Sequence, residues 1–197
     1  MSSDDSVLSQ MSAALQMPET GPALRRYFVN TIFDSTFVIL GVIIGSTFSP
    51  DPSYDLVIAT ILTSSFALGI STGVSVYEAE TMEQDRRIRE IEMAMLSSLK
   101  DTEIQRMSRI SILLIALINF SAPLMTCVVT LSPFLMLGPG EVQAGGWVAS
   151  GLALVILFAT GAVMGRMSDK NPVLRGLRMA LIGGGVFLVC FWIQTLI

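Results

Sequence analysis

Five long runs of apolar residues divide the chain, and polar segments separate them. Each run is close to the roughly 20 residues that an α-helix needs to cross the hydrocarbon core of a bilayer. The runs cover residues 28–48, 56–77, 110–135, 146–164 and 177–197. Residues 78–109 form the longest polar segment between them, which lacks Gly and Pro and is rich in good helix formers. The pattern predicts an all-α integral membrane protein with five transmembrane helices and a helical insertion between helices two and three.

Composition points to the same class of protein. Hydrophobic residues make up 52% of the chain and charged residues only 14%, with a mean hydropathy of +0.67. Histidine is absent, which excludes imidazole ligands and His-based acid–base chemistry. The apolar runs contain no paired carboxylates, and no nucleophile has a base beside it. We therefore expect no enzymatic activity and no cofactor, and we interpret Cys127 and Cys190 as packing residues.

The basic residues predict the orientation in the membrane. All twelve lie before the first run, in the insertion, or around the fourth connection. Neither residues 49–55 nor residues 138–145 contain a Lys or Arg. The positive-inside rule then places the N-terminus and the insertion in the cytoplasm and the C-terminus outside. Orientation accounts for the basic residues, so we predict no nucleic-acid partner.

We expect two regions and a location in the cytoplasmic (plasma) membrane of a prokaryote. Residues 1–24 would be a cytoplasmic N-terminal arm, because they lack the basic start and long apolar core of a cleaved signal peptide. Apolar residues at helical spacing from Val7 to Leu15 predict a short helix there, ending near Pro18. Residues 25–197 would form the five-helix transmembrane domain, including the cytoplasmic helical linker 78–109.

Asp34 is the candidate functional residue of the first run. It is the one charged residue between Phe28 and Phe48. An aspartate at membrane depth costs roughly 2.5–3.5 kcal/mol on insertion scales, so it marks a functional site by default. The alternative is that Asp34, about 9 Å of helix beyond Phe28, stays hydrated near the membrane surface. Asn30 lies one turn before Asp34, and Gly41 and Gly45 follow on roughly the same face.

Two further runs each have a polar face. In the second run this face consists of Thr60, Ser64, Ser71 and Ser75, and in the third of Asn119, Pro123, Thr126, Thr130 and Pro133. Such residues either form hydrogen bonds that hold helices together or line a polar pathway, in which prolines free backbone carbonyls for cations. Both interpretations remain open here. Pairs of glycines four residues apart, as in Gly41/Gly45, Gly69/Gly73 and Gly161/Gly165, predict close packing of helices.

The insertion contains a group of acidic residues that predicts cation capture. These residues are Glu78, Glu80, Glu83, Asp85, Glu90 and Glu92. Carboxylate oxygens suit hard divalent cations. The alternative is a solvated helix with salt bridges, because Arg86, Arg87 and Arg89 lie among the acids at helical spacing. We predict that the insertion continues the second membrane helix and breaks near Lys100–Asp101.

Three stretches resemble the vacuolar iron transporter family. They are FDSTFVILGVIIG at 33–45, ALGISTGVSVYEAETMEQD at 67–85 and NPVLRGLRMALIGGG at 171–185. The resemblance covers residues 27–197 and implies a homodimer that exchanges Fe²⁺ or related divalent cations for protons along a pathway between the subunits. It places Asp34 on that pathway and matches Glu83 and Asp85 to the acidic pair that opens the family's insertion. Thr72 stands where the family has a methionine and Ser64 where it has a glutamate, as in a divergent prokaryotic branch.

Our first hypothesis is a proton-coupled transporter that moves Fe²⁺-like or Mn²⁺-like cations out of the cytoplasm. Asp34 would bind the cation, with Asn30, Ser64, Thr72 and Asn119 as further oxygen ligands. Cations would be collected by Glu78, Glu83, Asp85, Glu90 and Glu92. Oxygen ligands in place of sulfur favour harder ions such as Mn²⁺. The alternative is a non-transporting dimeric membrane scaffold, or a metal sensor that acts through its cytoplasmic helix.

Overall fold

The described part of the chain is helical almost throughout. A computed structural model describes residues 20–96 and 103–196. Its helices are α1 (Thr20–Thr47), α2 (Tyr54–Met95), α3 (Glu103–Leu137), α4 (Val142–Met167) and α5 (Pro172–Leu196). A short 3₁₀ turn, Pro139–Glu141, connects α3 to α4. The described residues contain no β-strand, so the all-α prediction is confirmed.

All five helices contain a stretch that is long and apolar enough to cross a membrane. The five predicted spans are therefore confirmed as helices, and the chain is compatible with a multi-pass membrane protein. Helix α1 begins at Thr20, inside the predicted N-terminal arm, and so includes Arg25 and Arg26. The short helix predicted to end near Pro18 lies outside the described residues.

The polar segment after the second span continues the same helix, as predicted. Helix α2 runs without interruption from Tyr54 to Met95. Leu96 follows with a φ of 52°, in the left-handed region that residues with a Cβ rarely adopt, so the helix ends there. The break predicted near Lys100–Asp101 falls between the described ranges. We call residues 78–95 the α2 extension. Its cytoplasmic location remains a prediction.

Helix α3 continues through two prolines, Pro123 and Pro133. A proline inside a helix removes the hydrogen bond to the carbonyl four residues earlier, which for Pro133 is that of Val129. The Ser132 hydroxyl donates to this Val129 carbonyl at 2.8 Å. A neighbouring side chain thus satisfies the freed carbonyl, which is how membrane helices tolerate proline.

The chain divides into two compact units. The first contains residues up to 28 and residues 70–121, and the second contains residues 29–69 and residues from 122 to the C-terminal end. The core of the second unit joins apolar side chains from four helices, represented by Ile43 of α1, Ile61 of α2, Phe134 of α3 and Ala149 of α4. Cys127 belongs to this core and is a free thiol, which agrees with its predicted packing role.

Helices α4 and α5 pack backbone to backbone through glycines. A Cβ added to Gly161 would lie 2.9 Å from the Arg175 carbonyl oxygen, and one added to Gly165 would lie 2.7 Å from Pro172 Cα. From the other side, a Cβ on Gly176 would lie 2.8 Å from the Phe158 carbonyl oxygen. No side chain fits at these positions, so the packing role predicted for Gly161 and Gly165 is confirmed.

This packing predicts unequal effects for two glycines of α4. Gly161→Leu should lower the free energy of unfolding by about 1–3 kcal/mol, because the new side chain overlaps Met179 and the α5 backbone. Gly151→Leu should change it little or raise it slightly, because Gly151 is exposed and a Cβ there meets nothing within 4 Å. Thermal unfolding in detergent measures both. Equal losses for the two variants would contradict the packing model.

Candidate functional site

Asp34 lies on an uncovered face of α1. Its side chain is exposed, as are those of Asn30 one turn earlier and Val38 one turn later. Among the described residues no hydrogen bond or ion pair reaches the Asp34 carboxylate. The structure therefore brings Asn30 and Asp34 together at i,i+4 spacing, on a face that the other described residues leave exposed.

Small residues extend this open face. A Cβ added to Gly41 would approach only Cys190 Sγ, at 3.9 Å, and one added to Gly45 only Gln194 Oε1, at 4.0 Å. Both are ordinary van der Waals distances, so packing within the chain does not require glycine at either position. These two glycines differ in this respect from Gly161, where the chain's own backbone fills the space.

The other predicted oxygen ligands are divided between the two units. Ser64 is half-buried on α2 in the second unit. Thr72 and Asn119 lie in the first unit, where the Asn119 Nδ2 donates to the Thr72 backbone carbonyl at 3.4 Å. Asn119 is 1% exposed. Its amide connects α3 to α2, which is the structural role that a buried polar side chain commonly has in a membrane protein.

Most buried hydroxyls of the second unit are satisfied within their own helices. Thr36, Ser65 and Thr130 each donate to the backbone carbonyl four residues earlier, at 2.6, 2.6 and 2.9 Å. One pair joins two helices, with Ser35 Oγ and Thr126 Oγ1 3.4 Å apart. These contacts support the packing interpretation of the polar face of α3 at Thr126 and Thr130.

The acidic residues of the α2 extension do not converge on one point. Within the described part of the chain no three acidic or Cys side chains form a group that could hold a metal ion. Of the predicted collectors, Glu78, Glu83, Asp85 and Glu90 are exposed and Glu92 is half-buried. The Arg86 Nε and Glu90 Oε1 form an ion pair at 3.2 Å, as expected for a solvated helix with salt bridges. Cation capture by this group stays a prediction.

Asp85 faces a small pocket that contains an arginine. The pocket has a volume of about 290 Å³ and is lined by Tyr77, Thr81 and Asp85 of α2 and by Ser108 and Arg109 of α3. The guanidinium of Arg109 disfavours a bare divalent cation beside Asp85, because the two positive charges repel each other at short range. The pocket is therefore a poor metal site.

The sequence placed Glu80 among the acids of the insertion but did not predict that it is buried. It is 9% exposed, and its carboxylate lies close enough to the Tyr27 hydroxyl to interact with it electrostatically. The Arg26 guanidinium lies 5.0 Å from the centroid of the Tyr27 ring. The sequence shows only that Gly73, Val76 and Glu80 follow one another at helical spacing, and the structure shows that all three are buried. Glu80 therefore lies on the buried side of α2, near the beginning of α1.

Comparison with known proteins adds a relative but no function. No protein-family model matches the chain. The uncharacterized protein MJ0645 of Methanocaldococcus jannaschii is 27% identical over 177 residues, which cover 88% of this chain and 90% of that protein. The similarity thus extends over most of both chains.

The proximity of Tyr27 and Glu80 predicts a measurable coupling. In a double-mutant cycle, Tyr27→Phe and Glu80→Gln should show an interaction energy of about 0.5–3 kcal/mol, because each change removes the same interaction between a hydroxyl and a charged carboxylate. Thermal unfolding in detergent supplies the four values. Glu83→Gln, at an exposed position of the same helix, should stay within about 0.5 kcal/mol of the parent protein. Strict additivity of the Tyr27 and Glu80 changes would contradict the pairing.

Proposed function

We propose that the protein is a proton-coupled divalent cation transporter that works as a homodimer and carries Fe²⁺-like or Mn²⁺-like ions out of the cytoplasm. One observation carries the proposal. Asp34 places a carboxylate that has no partner among the described residues on the exposed face of a helix that is long and apolar enough to span a membrane. A carboxylate in that position needs a cation, a proton or a neighbouring subunit to offset its charge.

The chemistry of the Asp34 face suits a hard or borderline cation. Asp34 offers carboxylate oxygens and Asn30 an amide oxygen, which are the ligand types that divalent ions such as Mn²⁺ accept. In a homodimer whose twofold axis lies beside this face, the number of oxygen ligands would double, because each subunit contributes the same two residues. Glycine at positions 41 and 45 is not required by the packing against α5, and its small size would let a second helix approach closely. Exchange of the cation for a proton on the carboxylates would couple the two fluxes.

The resemblance to the vacuolar iron transporter family supports the same role for Asp34. The substitutions Ser64 and Thr72 remove a carboxylate and a thioether from that family's pattern. Both replacements are hydroxyls, so the proposed preference shifts from Fe²⁺ towards the harder Mn²⁺. The distribution of Lys and Arg supports a cytoplasmic N-terminus and an outward C-terminus. In that orientation the exposed acids of the α2 extension would attract cations on the cytoplasmic side.

A dimeric scaffold or metal sensor is the second candidate. The observation that favours it is the surface of the α2 extension, where Met82 and Met93 are each 70% exposed. Exposed methionines are adaptable contact residues in protein interfaces. A sensor would bind a cation without moving it across the membrane, and a scaffold would need no cation at Asp34.

Cation transport should depend on the carboxylate of Asp34 and not on that of Asp55. In proteoliposomes, Mn²⁺ and Fe²⁺ flux driven by a proton gradient should fall to the level of protein-free vesicles in Asp34→Asn, which keeps the shape and removes the charge. Asp55→Asn, at an exposed site in the first turn of α2, should retain flux.

Two outcomes would overturn parts of this proposal. Absence of flux for both ions in a folded dimer would reject transport and leave the scaffold or sensor. Flux in which Fe²⁺ strongly outcompetes Mn²⁺ would keep transport and reject the inferred preference for harder ions.

Dimerisation should depend on the small residues of α1. Gly45→Leu should weaken self-association about tenfold or more, because a bulky side chain would separate two helices that approach at this face. Gly151→Leu is the control, since Gly151 is also exposed and a Cβ there meets nothing within 4 Å. Dilution of fluorescently labelled protein in vesicles, followed by energy transfer between subunits, measures the association. An equal effect of both changes would place the interface elsewhere.

A further inference from the structure

A second surface joins basic and apolar side chains at the beginning of α5. It is a shallow groove of about 570 Å³ in the second unit, lined by residues of one segment, 170–182. Its charged lining consists of Lys170, Arg175 and Arg178, and among the described residues no acidic side chain lines it. The groove therefore presents a positive charge at the end of a helix that is apolar enough to span a membrane.

The three basic side chains have different degrees of freedom. Arg175 is fixed, because its Nη1 donates to the Met164 carbonyl at 3.4 Å and to the Ser168 Oγ at 3.0 Å. Lys170 and Arg178 are exposed, and their side chains make no hydrogen bond or ion pair within the described ranges. The Asn171 Oδ1 accepts a hydrogen bond from the Val173 N–H at 3.1 Å and so fixes the start of α5, which lies between Lys170 and Arg178 in the sequence. Two cationic groups are thus available to a ligand.

The apolar part of the groove continues along α5 into the span. Leu174, Leu177 and Leu181 line it and are 68, 49 and 67% exposed. Together they form a continuous apolar strip that begins beside the basic residues. A ligand that matches this surface has an anionic head next to a long hydrocarbon chain.

We propose that this groove binds an anionic phospholipid. The phosphate would lie between Lys170 and Arg178, and one acyl chain would lie along Leu174, Leu177 and Leu181. Basic residues next to membrane helices recognise acidic headgroups, and the positive-inside arrangement puts this groove at the cytoplasmic leaflet, where such lipids are enriched. A second copy of the chain is a poor occupant, because a symmetric contact would bring two sets of unpaired basic residues together. The proposal does not depend on cation transport.

Native mass spectrometry of the full-length protein tests the site, with phosphatidylglycerol and phosphatidylcholine titrated into delipidated samples. The parent protein should bind one phosphatidylglycerol per chain in preference to phosphatidylcholine. Lys170→Ala with Arg178→Ala should weaken phosphatidylglycerol binding about tenfold. Arg86→Ala with Arg89→Ala removes the same charge from the exposed α2 extension and should leave binding unchanged. The variant Lys170→Arg with Arg178→Lys keeps both positive charges and should still bind phosphatidylglycerol. Its binding would show that the loss in the alanine variant comes from the missing charges and not from misfolding.

A second arm tests the acyl chain. Leu174→Gln with Leu181→Gln should weaken phosphatidylglycerol binding, and soluble glycerol 3-phosphate should fail to compete with the lipid. The proposal is overturned if the parent protein does not discriminate between the two lipids, or if the Arg86/Arg89 variant loses binding equally. Competition by glycerol 3-phosphate would indicate a site for soluble phosphates instead. Dissociation of the dimer in the Lys170/Arg178 variant would show that another copy of the chain occupies the groove.

Discussion

The lack of water in the hydrocarbon core of a bilayer is the constraint on which this structure depends. Every polar group at that depth needs a partner supplied by the protein. The chain meets this demand locally, as Thr36 and Thr130 do by donating to carbonyls one turn earlier. The same holds at Pro133, which has no N–H to donate to the Val129 carbonyl. The Ser132 hydroxyl donates to this carbonyl instead. Asp34, like the buried hydroxyls of Thr47 and Ser150, has no partner among the described residues. Of these three groups only Asp34 carries a charge, so it is the residue at which a function is best sought.

The same constraint changes what holds the helices together. Lipid tails are as apolar as leucine, so burial of a leucine between helices gives little advantage over its exposure to lipid. Close approach provides the attraction instead, and α4 and α5 achieve it where Gly161 and Gly176 face backbone carbonyls. At Gly41 and Gly45 the chain's own atoms stay at ordinary contact distance. The small residues of α1 are thus not required by the packing against α5, and a role for them in the proposed dimer stays a prediction.

The number of the long helices and the position of their apolar parts could be predicted because the thickness of a bilayer sets the length of an apolar run. Their ends could not, since α1 begins at Thr20 and not at Phe28. The continuation of α2 beyond Tyr77 also followed from the sequence, since nothing there interrupts a helix. The burial of individual acids could not be predicted with the same ease. The sequence alone does not distinguish Glu80 from Glu83, because it does not show which side of the α2 extension is buried. In the structure only Glu80 lies on the same buried side as Gly73. Likewise, spacing alone could not show whether Thr126 lines a pathway or pairs with Ser35, because that depends on the neighbouring helix.

The arrangement of acids constrains where a transported cation could be selected. On the α2 extension Glu78, Glu83, Asp85 and Glu90 are exposed to solvent, and Glu90 already pairs with Arg86. Exposed charges of this kind interact weakly and are screened by salt, so they can raise the local concentration of cations but discriminate little among them. Selection requires ligands that replace the hydration shell at a fixed geometry. Since the chain has no histidine, and Asp34 and Asn30 offer only oxygen ligands on their shared face, any selection made there would follow size and hardness rather than affinity for nitrogen or sulfur.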